Sequence, residues 1–486
     1  MAIDSVEHNL KHKVAKGLFW GGMSNMLCLF LSILFSVFLA RILGPEDYGP
    51  IGMLAIFTAI ATSLQDSGFI AAIANRKEVT HDDYNAVFWF NILVSLLMYA
   101  CLYVCAPSIA SFFNQPVLVE LSRYNFLSIV VAAFGIAPSA YLFRELKVKQ
   151  RSISFILAIL VSGIVSVVMA LEGYSYWGIA TQSIVYMLVR TTVCWYFTPW
   201  RPGFKVNFAP LKYLFAFSYR LLITNIFQRF NWNIFSFILG KYYSRAEVGN
   251  YTKSAEWFNM GSEIANGMVN AVAQPALAKV ADDSERQKRL FCKMLRFTAF
   301  VSFPLMFCLA LVAKPLIAVV VSDEWLESAS MLQLLAVWGA FMPLQSMFTN
   351  LLVSRSRTRA FMWCTIVQGL LTLSILLSVH SQGIRFMLVA YCVFNTLWLF
   401  VWYGFANKEL PIKLSDCIGG VLPYAVLALA TVVVVRISTG SIVNLPLLLA
   451  VRVLLTAVIY LAVAYVMRSK ELREIIDFLF KRKKVC

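Results

Sequence analysis

Five ionisable side chains sit inside two long and otherwise apolar stretches of this 486-residue chain. Arg220 and Arg229 lie between 214 and 239, and Lys253, Glu256 and Glu263 lie between 248 and 276. A charge in hydrocarbon is costly, so such residues face an internal wet cavity or a substrate path. A guanidinium keeps its charge when buried and holds phosphate by a two-pronged fork. At ~100° per residue Arg229 shares a helix face with Asn225 and Asn233 and lies opposite Arg220. Lys253, Glu256, Glu263 and Asn270 share one face of the following stretch, and Asp66 is an acid near the end of an earlier one. The residues predict a polar cavity. Arg229 would meet an anionic group with help from Lys253 and Arg220. Asn25, Asn225 and Asn233 would supply hydrogen bonds, and Glu256, Glu263 and Asp66 are candidate acids for coupling to Na⁺ or H⁺. The plainer alternative is that Lys253 and Glu256, at i and i+3, neutralise each other. The aromatics Trp232, Tyr251, Trp257 and Phe258 are candidates for stacking on sugars, against packing as their ordinary role.

The elements that must position these residues are transmembrane helices. The chain is 60% hydrophobic and 14% charged, with a mean hydropathy of +0.73. Soluble domains average about 45–50% apolar and about 25% charged. That excludes an ordinary cytosolic enzyme and any disordered or fibrous class. Stretches long enough to cross a bilayer fall at 18–40, 50–73, 85–106, 122–143, 152–171, 176–197, 214–239, 248–276, 291–313, 329–352, 361–379, 386–406, 417–435 and 445–467. They are too long and too uniformly apolar for barrel strands. The first is not followed by a small-residue cleavage site, so it reads as a retained span.

Fourteen spans put both termini on one side, and the basic residues test this. With the N-terminus cytoplasmic, 29 of the 42 Lys and Arg residues fall in inside segments and 7 in outside loops. That asymmetry persists loop after loop and follows the positive-inside rule. The net charge of +17 is therefore a topology signal that also favours anionic lipids, not a nucleic-acid footprint.

Sliding the chain by 200 residues pairs Asn25 with Asn225, Phe35 with Phe235, Ser36 with Ser236, Leu39 with Leu239, Gly49 with Gly249, and Asp82-Asp83 with Asp282-Asp283. Six spans separate the copies, so the repeat is parallel. The organisation predicted is an amphipathic N-terminus (1–17), a first six-helix lobe (18–200), a second (201–410), helices 13 and 14 (411–467) and a basic cytoplasmic tail (468–486). Transporters use such repeats, with substrate near the midplane and halves that rock around it.

No GxxxxGK[ST] loop, CxxC pair or Ser/His/Asp constellation is present, and the four His are scattered in tails and loops. Outside loops leave no room for a catalytic domain. The expectation is a transporter rather than an enzyme, with no cofactor and no metal ligands. The two acidic pairs are expected to cap helices.

The run Ala40-Arg41-Ile42-Leu43-Gly44-Pro45-Glu46-Asp47-Tyr48-Gly49 resembles the ARxLGPExYG signature of Wzx-type polysaccharide flippases, in particular the colanic and teichuronic acid exporter branch. Further matches follow in order: Asp66-Ser67-Gly68-Phe69, Arg76-Lys77, Asn85 to Trp89, Pro138 with Arg144-Glu145-Leu146-Lys147, Trp200-Arg201-Pro202, Ile238 to Lys241, Gly249-Asn250-Tyr251, Phe303-Pro304 and Trp325. The resemblance spans roughly 14–405. It implies the fold of the multidrug/oligosaccharidyl-lipid/polysaccharide (MOP) superfamily shared with multidrug (MATE) transporters: two six-helix lobes plus helices 13 and 14. It also implies an undecaprenyl-diphosphate-linked oligosaccharide as substrate, moved across the bacterial inner membrane for lipopolysaccharide or exopolysaccharide export. Polymerase and export machinery would be partners. Many relatives carry an Asp where this chain has Phe235, and peptidoglycan-precursor flippases carry an Arg in the first helix, where this chain offers Asn25. Arg229 is the substitute. The competing readings are a cation-coupled multidrug antiporter of the same fold and a membrane-embedded glycan polymerase or ligase.

Overall fold

The computed structural model describes residues 2–66, 73, 79–204 and 207–481; within helices, the side chains of 2–19, 66, 210, 212–221, 268, 271, 475 and 478–481 lie outside that description. The described residues are almost entirely helical and contain no strand. Helices α1 (Ala2–Ile42), α2 (Pro45–Asp66) and α3 (His81–Phe113) come first. The fourth span is broken into α4 (Leu118–Asn125) and α5 (Leu127–Arg144). Then follow α6 (Val148–Leu171), α7 (Tyr176–Phe197), α8 (Ala209–Tyr242), α9 (Arg245–Lys279) and α10 (Ser284–Val320). The tenth span is also broken: a 3₁₀ turn (Asp323–Trp325) leads into α11 (Leu326–Gly339) and α12 (Met342–Ser354). The chain closes with α13 (Thr358–Val379), α14 (Ile384–Glu409), α15 (Leu414–Ser438), α16 (Leu445–Val466) and a strongly amphipathic α17 (Lys470–Lys481).

Among the described residues the helices make fourteen long stretches, and eleven of these are long and apolar enough to cross a membrane by length and composition alone. The other three are α7, α8 and α9. They are long enough, but Gln, Asn, Thr and charged residues lower their hydropathy. The two breaks were not anticipated. In the tenth span Pro343 explains the stop: a proline inside a helix removes a backbone donor and clashes with the preceding turn, but it is tolerated at the start of the next helix.

Capping explains several ends. Thr80 and Asp83 form a capping box at the start of α3, and the Asp283 carboxylate accepts from the Arg286 amide at 2.9 Å at the start of α10. The acidic pairs thus satisfy orphan helix amides, as their sequence position implied. Among the described residues no three His, Cys, Asp or Glu side chains form a metal-binding group.

The chain divides into two compact units, Met1–Gly249 and Asn250–Cys486. In the first, α6 packs on α1 and α7, α5 on α3 and α7, and α8 on α2 and α3. In the second, α10 is the hub, touching α11, α12, α15 and α16. Helix α16 is latched to it: Tyr460 donates to the Phe300 carbonyl at 2.9 Å, and Arg452 to the Leu311 carbonyl at 3.2 Å. Arg296 pairs with Glu471 of α17 at 3.5 Å.

The 200-residue offset is visible in the geometry of the first unit. The Leu43 amide bonds to the Leu39 carbonyl at 2.8 Å, and in the same columns Tyr243 bonds to Leu239 at 2.8 Å. Asp47 accepts from the Gly44 amide at 3.1 Å, while Glu247 accepts from the Ser244 amide at 2.9 Å. The two helix starts so formed meet reciprocally. A Cβ on Gly49 would overlap the Arg245 carbonyl, and a Cβ on Gly249 would overlap that of Pro45. Residues 45 and 245 are themselves one repeat pair.

Only glycine permits that backbone-to-backbone approach. Gly49→Ala and Gly249→Ala should each lower stability by about 1–3 kcal/mol or more through overpacking. Gly404→Ala, whose Cβ would meet nothing within 4 Å, should be neutral or slightly stabilising. Melting of the purified full-length protein decides; equal melting temperatures for Gly49→Ala and Gly404→Ala would remove the contact from the account.

Candidate functional site

The described, interior part of α8 exposes four side chains: Asn225, Gln228, Arg229 and Trp232. Their spacing (i, i+3, i+4, i+7) makes one continuous stripe. The rest of the helix is packed: Ile234, Phe235, Ser236, Ile238, Leu239 and Gly240 are buried, and Gly240 lets Met53 and Phe113 press against the backbone. Arg229 stands about ten residues from the end of the apolar stretch, or roughly 15 Å at the helical rise. A stripe carrying an amide, a second amide and a guanidinium at that depth is incompatible with bare hydrocarbon. It needs water or a polar ligand. Asn233 is half-buried, and its side-chain amide donates to the Arg229 carbonyl at 2.8 Å. Asn25, the repeat partner of Asn225, is exposed on α1.

In the second unit α9 shows a corresponding face. Glu263, Gly267, Asn270 and Gln274 are exposed at steps of four, three and four. Beside them α12 contributes polar side chains: Ser346 bonds to the Asn266 side-chain oxygen at 3.1 Å, and the Asn350 side-chain amide donates to that of Asn270 at 3.0 Å. An apolar span with three or four polar residues on one side is the expected wall of a hydrophilic path.

Lys253 behaves differently from the stripe residues. It is fully buried; its Nζ donates to Glu256 at 2.9 Å and lies 6.0 Å from the centre of the Trp325 ring. Neighbouring residues clamp the same turn: Ser254 bonds to the Ser328 carbonyl at 2.8 Å and Asn250 to Glu327 at 3.3 Å. The structure therefore joins Lys253 to Glu256 and to the head of α11, and leaves Glu263 on the exposed face. The side chains of Arg220 and Asp66 lie outside the described residues. Of the four aromatics considered for stacking, Trp232 is exposed, while Tyr251, Trp257 and Phe258 are buried, the last stacked on Trp338 at 5.2 Å.

Gln228, Asn266, Ser346 and Asn350 escaped sequence reasoning. Uncharged polar residues are common in spans, and only the helical phase relative to packed neighbours marks Gln228 as exposed and brings the half-buried Ser346 and Asn350 against Asn266 and Asn270. The i, i+4 spacing of Ser346 and Asn350 was the available signal.

Four of the signature residues, Asn85, Trp89, Trp200 and Arg201, hold the fold together. The Trp89 indole donates to the Gly203 carbonyl at 2.8 Å, Asn85 accepts from the Gly203 amide at 3.0 Å, and His81 meets the Arg201 carbonyl at 2.9 Å. Arg201 in turn donates to the carbonyls of Thr198 and Trp200. Trp200 completes a buried cluster with Tyr84 and Phe88. Asp66 to Phe69 and Arg76-Lys77 lie outside the described residues, apart from the backbone of Asp66.

These features define a multi-pass, all-helical membrane protein with a parallel repeat and a polar face in each of its two units. Over residues 38–330 the sequence matches the polysaccharide biosynthesis protein family, and the chain belongs to it. Its resemblance to Wzx-type flippases is borne out. It is 24% identical to the lipopolysaccharide biosynthesis protein WzxC of Escherichia coli (strain K12), covering 72% of this chain and 71% of the relative. It is also 24% identical to the teichuronic acid biosynthesis protein TuaB of Bacillus subtilis (strain 168), covering 89% and 90%. Among solved structures it resembles the lipid II flippase MurJ in an inward closed conformation, with a TM-score of 0.72 at 12% identity over 94% of this chain and 99% of that one. An inward-facing multidrug MATE transporter of the MOP superfamily follows, with a TM-score of 0.63 at 16% identity over 79% and 94%. These structures show the MOP fold.

Removing Glu256 strands a buried ammonium. Glu256→Gln should lower stability by about 1–3 kcal/mol, less than the ~3–5 of a fully buried pair because Glu256 is one-third exposed. Glu263→Gln should change stability by less than about 0.5 kcal/mol, as expected for an exposed position. The order of the two melting temperatures is the test; a reversed order would contradict the assignment of Lys253 and Glu256 as a structural pair.

Proposed function

We propose that the chain is a flippase that carries undecaprenyl-diphosphate-linked oligosaccharide units from the inner to the outer leaflet of the bacterial inner membrane by alternating access, with both termini cytoplasmic. The observation that carries this reading is the exposed stripe Asn225, Gln228, Arg229 and Trp232 on a helix of membrane-spanning length. Its chemistry suits an amphiphile with a charged head: the guanidinium takes the diphosphate, the amides take sugar hydroxyls, and an exposed indole offers a stacking face. Within the second unit, the polar faces of α9 and α12 offer hydrogen bonds suited to sugar hydroxyls, while the prenyl tail stays in lipid. Asn25 and Asn233 assist on the first unit, with Arg220 as a further cation toward the head group. Glu263 and Asp66 are the acids proposed to couple movement to Na⁺ or H⁺, Lys253 and Glu256 being taken up by their own pairing.

The names of the relatives support polysaccharide biosynthesis as the setting, and export rather than synthesis fits a chain with no catalytic constellation in its sequence. Transfer of an intact lipid-linked unit needs no bond made or broken, only a wet route past the hydrocarbon for its head.

At native expression Arg229→Ala should reduce surface glycan by at least about tenfold, the scale of losing one charge-assisted phosphate contact. Single lipid-linked units should accumulate on the cytoplasmic side, and Arg229→Lys should retain part of the activity. Glycan export at the wild-type level by Arg229→Ala would refute the assignment of Arg229. Accumulation of single units on the outer face in a strain lacking the protein would instead indicate a polymerase.

A further inference from the structure

Two arginines of the first unit share one aromatic ring. Arg151 stands in the first turn of α6, and Arg190 lies seven residues before the end of α7. The ends concerned are those at which Arg144, Lys147, Lys149 and Arg201 also gather. The Arg151 guanidinium lies 5.8 Å and that of Arg190 4.6 Å from the centre of the Phe155 ring, and Arg151 also covers Phe143 at 4.9 Å. A π-face attracts a cation without cancelling its charge. Among the described residues no carboxylate makes an ion pair with either arginine. The Arg151 Nε is buried and makes no hydrogen bond.

An adjoining cavity of about 80 Å³ carries the second observation. Arg190 lines it together with Gln65, Ser139, Thr191 and Cys194. Ser139 is 4% exposed, and its hydroxyl has no partner. The Arg190 guanidinium, the Gln65 amide and the hydroxyls of Thr62, Ser139 and Thr191 line it, the Ser139 hydroxyl being unsatisfied, and the unsatisfied Arg151 Nε belongs to the other guanidinium on the Phe155 ring. Buried polar groups without partners are rare and call for a ligand that the protein atoms do not supply. Two like charges held near one ring repel each other unless an anion sits between them.

We propose that Arg151 and Arg190, with Ser139, form a binding site for the phosphate group of a membrane lipid, built on α5, α6 and α7 rather than on the Arg229 stripe of α8. The guanidiniums provide fork-shaped donors for the phosphate oxygens, and Ser139 supplies a neutral hydrogen bond. A membrane offers this chemistry from two sources: the diester of a bulk anionic phospholipid and the monoester of a prenyl phosphate. The site is read by binding alone, so it stands or falls independently of the transport assignment.

The experiment is native mass spectrometry of the purified full-length protein, titrated separately with dioleoyl phosphatidylglycerol, undecaprenyl phosphate and dioleoyl phosphatidylcholine. The wild type should retain one tightly held anionic lipid, with the zwitterionic lipid bound at least about tenfold more weakly. Preference for undecaprenyl phosphate identifies the prenyl source, and preference for phosphatidylglycerol the bulk lipid. Arg151→Gln with Arg190→Gln should weaken the retained lipid by about tenfold or more, while Lys413→Gln leaves it unchanged. Ser139→Ala, which removes one atom and preserves the fold, should weaken it about threefold, the scale of one neutral hydrogen bond. Equal retention of all three lipids by the wild type would overturn the proposal. So would undiminished retention in both the Ser139→Ala and the double-arginine variants.

Discussion

The architecture rests on a steric constraint at two glycines. The first turns of α2 and α9 approach so closely that a single methyl group at Gly49 or Gly249 would overlap a carbonyl of the other helix. Contact of this kind brings backbone against backbone, where no side chain can yield. It fixes the phase of each helix, and phase decides which side chains are packed and which face outward. The capping carboxylates Asp47 and Glu247 hold the same turns from the other side by accepting the amides of residues 44 and 244. Between those turns, α8 packs on α2, with Gly240 against Met53 and Phe237 against Phe57, and its exposed side carries Asn225, Gln228, Arg229 and Trp232.

The charged residues of the two polar helices divide by their burial. Arg229 and Glu263 are exposed where hydrocarbon would not tolerate them. Lys253 lies in the packed interior, balanced by Glu256 and set over Trp325. Charge inside a span marks a residue as costly, but the cost is met in two different ways: by exposure to a wet face, or by pairing within the fold. The same contrast separates Trp232 from Tyr251, Trp257 and Phe258, which fill the core. Signature positions are likewise structural in part, since Asn85, Trp89, Trp200 and Arg201 interlock through backbone carbonyls and amides.

Much of the fold was legible because a bilayer imposes a one-dimensional rule. Each span must be apolar for about 20 residues, and each loop carries a charge bias. Hence the fourteen spans, their order and the parallel repeat follow from hydropathy and spacing. The breaks at Phe126 and around Ala340 did not, because a short irregular turn does not disturb a hydropathy average. Helix ends were extended by capping at Thr80 and Asp283, since polar first turns continue a helix past the apolar stretch. Of the site, Arg229 and Asn225 were found by their helical phase, whereas Ser346 and Asn350 look unexceptional until α12 is laid beside Asn266 and Asn270.

Sequence alone determined the solvent, the span count, the repeat and the family, because hydropathy, charge bias and motif order are properties of the chain taken residue by residue. Tertiary structure decided which polar groups stay exposed. It buried Lys253 against Glu256, opened the Arg229 stripe, brought Arg151 and Arg190 to one ring from two successive helices, and left the Ser139 hydroxyl without a partner. The physical reason is that burial and pairing depend on neighbours, and a residue's neighbours in a helical bundle come mostly from other spans.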